Sequence, residues 1–284
     1  MSRNSGRKKS ATGLETNKKA TPTDPVIGTS GFSFATPTDH VDLPSGGQYY
    51  PEGHPLHGKD SVEIKYMTAK EEDILTSQNL LKKGLAIERL LESVILDDSI
   101  NPKNLLVGDR NAILVAARVT GFGNEYETQV TCPSCLKGSL HSFDLDEVGV
   151  KASEPTEEVT RTEGGTFIIE LPTTGVRTEV KLLTGADEAR IMSLQESKKK
   201  HKLPEAPLTD HLKTIIVSVD GHEDRTIINQ FVESMPSRDT RYLRKQYDGL
   251  NPNIDMTFAF ECPACDATTD VEVPFTVSFL WPKQ

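Results

Sequence analysis

Two four-residue loops constrain this chain more than any other feature: Cys132-Pro133-Ser134-Cys135 and Cys262-Pro263-Ala264-Cys265. Together they use all four cysteines, and 126 residues, numbers 136–261, separate them. Strand-like sequence leads into each loop (residues 125–131 and 255–261) and leaves it (residues 140–148 and 271–277). A tetrahedral zinc ion takes four thiolates at about 2.3 Å, and a C-x2-C loop supplies two of them from one side. The proline narrows the turn, and nearby backbone N–H groups can bond the sulfurs. The spacing therefore predicts a structural Zn2+ held by Cys132, Cys135, Cys262 and Cys265, in a zinc ribbon whose halves are split along the chain. Four cysteine ligands leave no open position for catalysis.

One detail departs from the usual pattern. Many such knuckles carry Gly directly after the second Cys, whereas here Leu136 and Asp266 stand there. Gly138 is the nearest residue able to relax the first turn, and the second has no equivalent. Competing uses of the cysteines are redox pairs, disulfides or four unrelated buried thiols. A single C-x2-C also suits a redox pair. Disulfides need an oxidising compartment, and the N-terminus lacks the apolar stretch of a secretory signal. Unrelated thiols would not be expected to fall into two matching tetrads.

With 284 residues the chain can bury a substantial core in one or two domains. The charge is uneven: residues 1–20 carry +5, which leaves −15 on the rest of a chain whose total is −10. An acidic body is a poor match for phosphate backbones. No apolar run approaches the ~20 residues that span a bilayer. Residues 1–40 are rich in Ser, Thr, Lys, Pro and Gly and read as a disordered basic tail, interrupted by Phe32 and Phe34.

Further along, Pro44 and Pro51 bracket an arm expected to lie extended on the body through Leu43, Tyr49 and Tyr50. Residues 61–66 alternate as a half-buried strand. Thr68 and Glu71 form a capping box for a short helix to about Leu75. A second helix, residues 85–96, sets Ile87, Leu90, Leu91 and Val94 on one face. A largely apolar third, residues 108–120, ends at Gly121 and Gly123. Within the insertion, residues 166–171 and 176–182 read as a hairpin, followed by a helix from Thr184. Amphipathic residues 208–219, then 227–235 and 238–247, read as further helices, with Leu243 and Tyr247 buried in the last. Phe275, Phe279 and Trp281 give the C-terminus an apolar anchor.

The expected architecture is α+β. A disordered tail (1–40) precedes an arm, helical unit and first zinc-ribbon half (41–150). An α+β insertion (151–250) separates these from the second ribbon half and C-terminal anchor (251–284).

Several segments, in this order, resemble the baseplate hub family of T4-like contractile bacteriophages. They are residues 43–50 (Leu-Pro-Ser-Gly-Gly-Gln-Tyr-Tyr), 68–75 (Thr-Ala-Lys-Glu-Glu-Asp-Ile-Leu) and 105–110 (Leu-Leu-Val-Gly-Asp-Arg), then the first knuckle. Residues 235–244 (Met-Pro-Ser-Arg-Asp-Thr-Arg-Tyr-Leu-Arg) and the second knuckle complete the set. The resemblance covers residues 41–284 and implies a non-enzymatic component or assembly factor of a tail baseplate. Its expected partners are other phage tail proteins, met in the host cytoplasm during assembly and in the virion tail.

The alternative is a zinc-ribbon nucleic-acid-binding regulator, for which Arg238, Arg241, Arg244 and Lys245 supply four cations on one helix. Catalytic signals are weak. His54 and His57 have metal-like spacing but lie in a Pro- and Gly-rich stretch, and Glu71, Glu72 and Asp73 read as a solvated helix end.

Overall fold

The computed structural model describes residues 35–273 and 277–280, so the expectations for residues 1–34, Phe275 and Trp281 lie outside the described residues. The fold is α+β. Regular structure begins before residue 41. β1 (Thr38–Asp42) pairs antiparallel with β2 (Ser61–Lys65), so three of its residues fall within the stretch expected to be disordered. Between these strands the arm is not extended. It curls through successive turns, with Gly46 N–H donating to Leu43 O and Gln48 N–H to Ser45 O, and buries Leu43 and Tyr50. The positive φ of Gly46 and Gly47 permits a tight coil that two prolines alone do not dictate.

Thr68 caps α1 (Ala69–Thr76) through the expected capping box. After α2 (Gln78–Lys82), which the sequence did not announce, α3 (Ala86–Val94) turns Leu90, Leu91 and Val94 inward. α4 (Val107–Phe122) buries Ile113, Leu114 and Val115. It runs through Gly121 instead of stopping there. A Cβ at that glycine would lie 2.1 Å from the movable Met67 methyl and 3.2 Å from Met67 Cβ, so the helix passes close against Met67 at this point. Gly123, at φ 81°, closes the helix.

β3 (Glu125–Thr131) and β4 (Gly138–Asp144) form the first knuckle hairpin, with Thr131 opposite Gly138. The strand expected over 140–148 is interrupted because the Asp144 carboxylate accepts the Asp146 N–H and winds Leu145–Glu147 into a 3-10 turn. β5 (Gly149–Lys151) follows. The insertion then builds an antiparallel sheet from β6 (Val159–Arg161), β7 (Phe167–Glu170) and β8 (Arg177–Val180), and the β7–β8 hairpin matches expectation.

α5 (Gly185–Lys200) and α6 (Pro207–Ile215) come next, before the chain straightens into β9 (Ile216–Val219), which completes the order β6-β7-β8-β9. The helix expected over 208–219 thus gives up its β-branched last turn to a sheet edge. α7 (Arg225–Ser234) and α8 (Ser237–Leu250) follow, and α8 passes through Gly249.

β10 (Asn253–Asp255) returns to pair with β5, which brings the second cysteine loop beside the first. β11 (Thr257–Glu261) and β12 (Thr268–Glu272) form the second hairpin. The strand expected over 271–277 is displaced: β12 ends at Glu272, and Val277 opens α9 (Val277–Leu280). Phe279 of α9 meets the Tyr126 ring edge-on at 5.0 Å. One buried apolar cluster runs from Val41 to Leu280 and includes Cys132 and Cys262, so arm, helices, insertion and hairpins share a core.

Candidate metal centre

Each cysteine loop is the same backbone device made twice. Cys132 N–H donates to Lys137 O and Leu136 N–H to Cys132 O, both at 2.9 Å. In the second loop Cys262 N–H donates to Ala267 O at 3.0 Å and Asp266 N–H to Cys262 O at 2.9 Å. Both turns need a left-handed residue, and Leu136 (φ 59°) and Asp266 (φ 54°) adopt that conformation themselves. Gly138 does not relax the first turn; it starts β4. Aspartate tolerates this region fairly well, whereas a bulky apolar residue there is unusual.

The hairpins face each other across an aromatic layer. Phe143 and Phe258 have ring centroids 5.1 Å apart, and His141 meets Phe260 edge-on at 5.4 Å. This packing brings all four sulfurs together, with every pair within 4.8 Å. Cys132 Sγ lies 3.8 Å from Cys265 Sγ, and Cys135 Sγ lies 3.7 Å from Cys262 Sγ. Four thiolates at about 2.3 Å from one centre stand about 3.8 Å apart, so a tetrahedral ion fits this quartet. Cys132 and Cys262 are buried, Cys135 is partly covered and Cys265 is exposed, which opens the group to solvent on one side.

Electrostatics divide the thiols. The backbone N–H groups of Cys135 and Ser134 favour a thiolate at Cys132 and bring its pKa down to about 6. At Cys265 the Ala267 N–H also favours the thiolate, but the neighbouring sulfurs outweigh it and push that group up to about 12. Cys132 thus favours its thiolate and Cys265 its thiol, and a cation at the centre would favour the thiolate at both.

The other sequence candidates have structural roles. The His54 ring stacks on Tyr50 with centroids 4.3 Å apart and its Nδ1 accepts the Leu56 N–H, while His57 Nδ1 lies 2.7 Å from Tyr50 O. Both histidines secure the turns of the arm. Glu71 is not solvated. Its buried carboxylate accepts from Thr68 and Ser93 and pairs with Lys65 at 2.9 Å. Burial opposes its charge, but these donors prevail and hold its pKa near about 2. Arg238, Arg241, Arg244 and Lys245 are all exposed, and among the described residues none of them forms an ion pair. Leu243 and Tyr247 are buried as expected.

Sequence reasoning missed a second polar centre. Asp109, fully buried at the start of α4, accepts Ser45 N–H at 2.9 Å, Ser45 Oγ–H at 2.6 Å and Tyr50 O–H at 2.7 Å. The Tyr50 oxygen in turn accepts the Leu106 N–H at 3.1 Å. Burial pushes Asp109 above the usual carboxylate range, although the Ser45 and Tyr50 donors pull the other way. A lone Asp in an apolar helix was the available signal; nothing in the sequence paired it with residues about sixty positions away.

Among the described residues, no helix is long and apolar enough to cross a membrane. Compared with known proteins, residues 36–281 match the model of a family described as T4 bacteriophage base plate protein. No curated protein and no solved structure matches the chain.

Proposed function

We infer the role of this chain from its family: it belongs to the T4 bacteriophage base plate proteins, matched from residue 36 to residue 281. We propose that it is a structural or assembly component of the hub region of a contractile tail baseplate, acting through contacts with other tail proteins and catalysing no covalent step. The observation that supports this most is the extent of the match, which takes in both cysteine loops and everything between them. In this reading the chain meets its partners in the host cytoplasm while tails assemble and resides in the virion tail. Nucleic-acid binding is not favoured, since the family is one of baseplate proteins and the chain outside its basic tail is acidic.

Cys132, Cys135, Cys262 and Cys265 would hold a structural Zn2+, supported by the sulfur spacing and by a donor set of four thiolates. The ion would clamp two hairpins that the insertion separates in sequence. It would thereby hold the insertion against the helices of residues 69–122 and present a stiff surface to neighbours. A phage with this gene disrupted tests the role directly. Stalled baseplate intermediates or tailless heads are expected, and normal infectious particles would reject it. Elemental analysis of the purified protein tests the metal: one zinc per chain is expected, falling with Cys262→Ser.

A further inference from the structure

The two knuckles share a backbone but not a surface. Counting from the second cysteine of each, Leu136 corresponds to Asp266 and Leu140 to Asp270. The register agrees, because Leu140 faces Gln129 and Asp270 faces Ala259, each partner lying three residues before the first cysteine of its loop. All four residues are exposed. Leu136, at 77%, and Leu140, at 68%, are the two most exposed large apolar side chains among the described residues. Leu136 also occupies the left-handed turn position that Asp266 fills at lower backbone cost. Leu136 and Leu140 thus stay largely uncovered by the described residues.

We propose that the tip of the first knuckle is a docking point for a different protein of the baseplate, one offering an apolar pocket with a carboxylate at its rim. This rests on the baseplate reading given above. Leu136 and Leu140 enter the pocket, and the exposed Lys137 between them pairs with the rim acid. A second copy of this chain fits less well. Two leucines supply a small part of the ≈ 800 Å² that each partner contributes to a free-standing dimer, whereas a neighbour already held in the baseplate by other contacts needs only a pocket there. A two-fold contact also sets like surface against like, and β3 beside the tip carries exposed Glu125 and Glu127. The second knuckle, with exposed Asp266 and Asp270 at the equivalent places, is closed to the same pocket, so the pseudo-symmetric pair has a single docking end.

The test transplants one surface onto the other. Leu136→Asp with Leu140→Asp copies the second knuckle onto the first, and Leu136→Gly with Leu140→Ser does so without added charge at a position that suits glycine. Each is supplied from a plasmid to the phage lacking this gene, and the chain is quantified in isolated baseplates. Both variants should keep the melting temperature and metal content of the wild type yet enter baseplates roughly ten-fold less, as loss of a contact hot spot implies. Asp266→Asn with Asp270→Asn should enter normally. Equal incorporation of the folded leucine variants would overturn the proposal while leaving the baseplate role intact, and a gene-disrupted phage that needs no plasmid would overturn that role instead. Sedimentation of the purified wild type as a dimer that the leucine variants abolish would assign the contact to a second copy and so reject a different partner.

Discussion

Two polar centres tie distant parts of this chain together, and they do so by opposite means. The sulfur quartet joins hairpins 126 residues apart and sits at the surface, with Cys265 exposed. The Asp109 centre joins the arm to α4 across 64 and 59 residues and is closed to solvent. Four thiolates within 4.8 Å of one another would repel, so in the reading proposed above that join is completed by a cation from outside. The Asp109 carboxylate is satisfied by three donors of the chain itself, so that join is complete when the chain folds. The contrast is between a conditional and an unconditional cross-link.

The largest expected effect removes the condition. Stripping the proposed metal with a chelator, or substituting Cys262→Ser, should cost on the order of 5 kcal/mol or more at the hairpins, since site formation and folding are coupled. Hydrogen exchange should show amides of β3, β4, β11 and β12 losing protection before those of α4. Unchanged protection in chelator would break the comparison, leaving the aromatic layer as the true join.

Asp109→Ala should come next. It leaves the buried Ser45 and Tyr50 hydroxyls without their acceptor, at a cost of about 3 kcal/mol, or roughly 6–12 °C in melting temperature for a chain of this size. The loss should be the same with and without chelator. A loss that vanished in chelator would show the two centres to be one cooperative unit.

Asp239→Ala should cost less, about 1–2 kcal/mol. This buried carboxylate at the start of α8 accepts Thr173 N–H, Thr174 N–H and Thr174 Oγ–H, but those partners lie in a β7–β8 turn that water can re-enter. Thermal unfolding of the variant gives the ranking directly.

The last comparison is in pH response, between two buried acids. Glu71 is held near about 2, below its ordinary 4.5, so its contribution is present above 4.5 and fades as pH falls from there towards about 2. Asp109 is shifted upwards, so protonation favours the folded form and its contribution grows on acidification. Glu71→Gln should therefore flatten the acid limb of the stability curve, and Asp109→Asn should not. An acid limb unchanged by Glu71→Gln would refute the assignment.

The sequence disclosed these centres unequally, for a physical reason. Cysteine is scarce and its chemistry depends on spacing, so two C-P-x-C loops announced the quartet before any fold was known. Asp, Ser and Tyr are common, and their partnership depends on the arm coiling at Gly46 and Gly47, a tertiary matter that left the arm misread as extended. The same divide runs through the secondary structure. Periodicity found α3, α4 and the β7–β8 hairpin because each carries its pattern locally. It missed the change from α6 to β9 at Ile216, because a sheet edge supplied by β8 decides that segment. It also read Gly121 as a helix stop, whereas α4 continues to Phe122 and passes close against Met67. The left-handed turns came close to being legible: the missing glycines were visible, and the structure places the conformation on Leu136 and Asp266.

The long separation of the cysteine loops sets an order in time. A ribosome delivers Cys132 and Cys135 early and must then translate 126 further residues before Cys262 appears. Until then the first hairpin holds two sulfurs with no counterpart, and β5 waits for β10. Any chain cut short between residues 136 and 261 retains that half-site and cannot close the quartet. The last two cysteines to be made therefore appear only after a complete insertion, and a product cut short within it keeps two thiols without their counterparts.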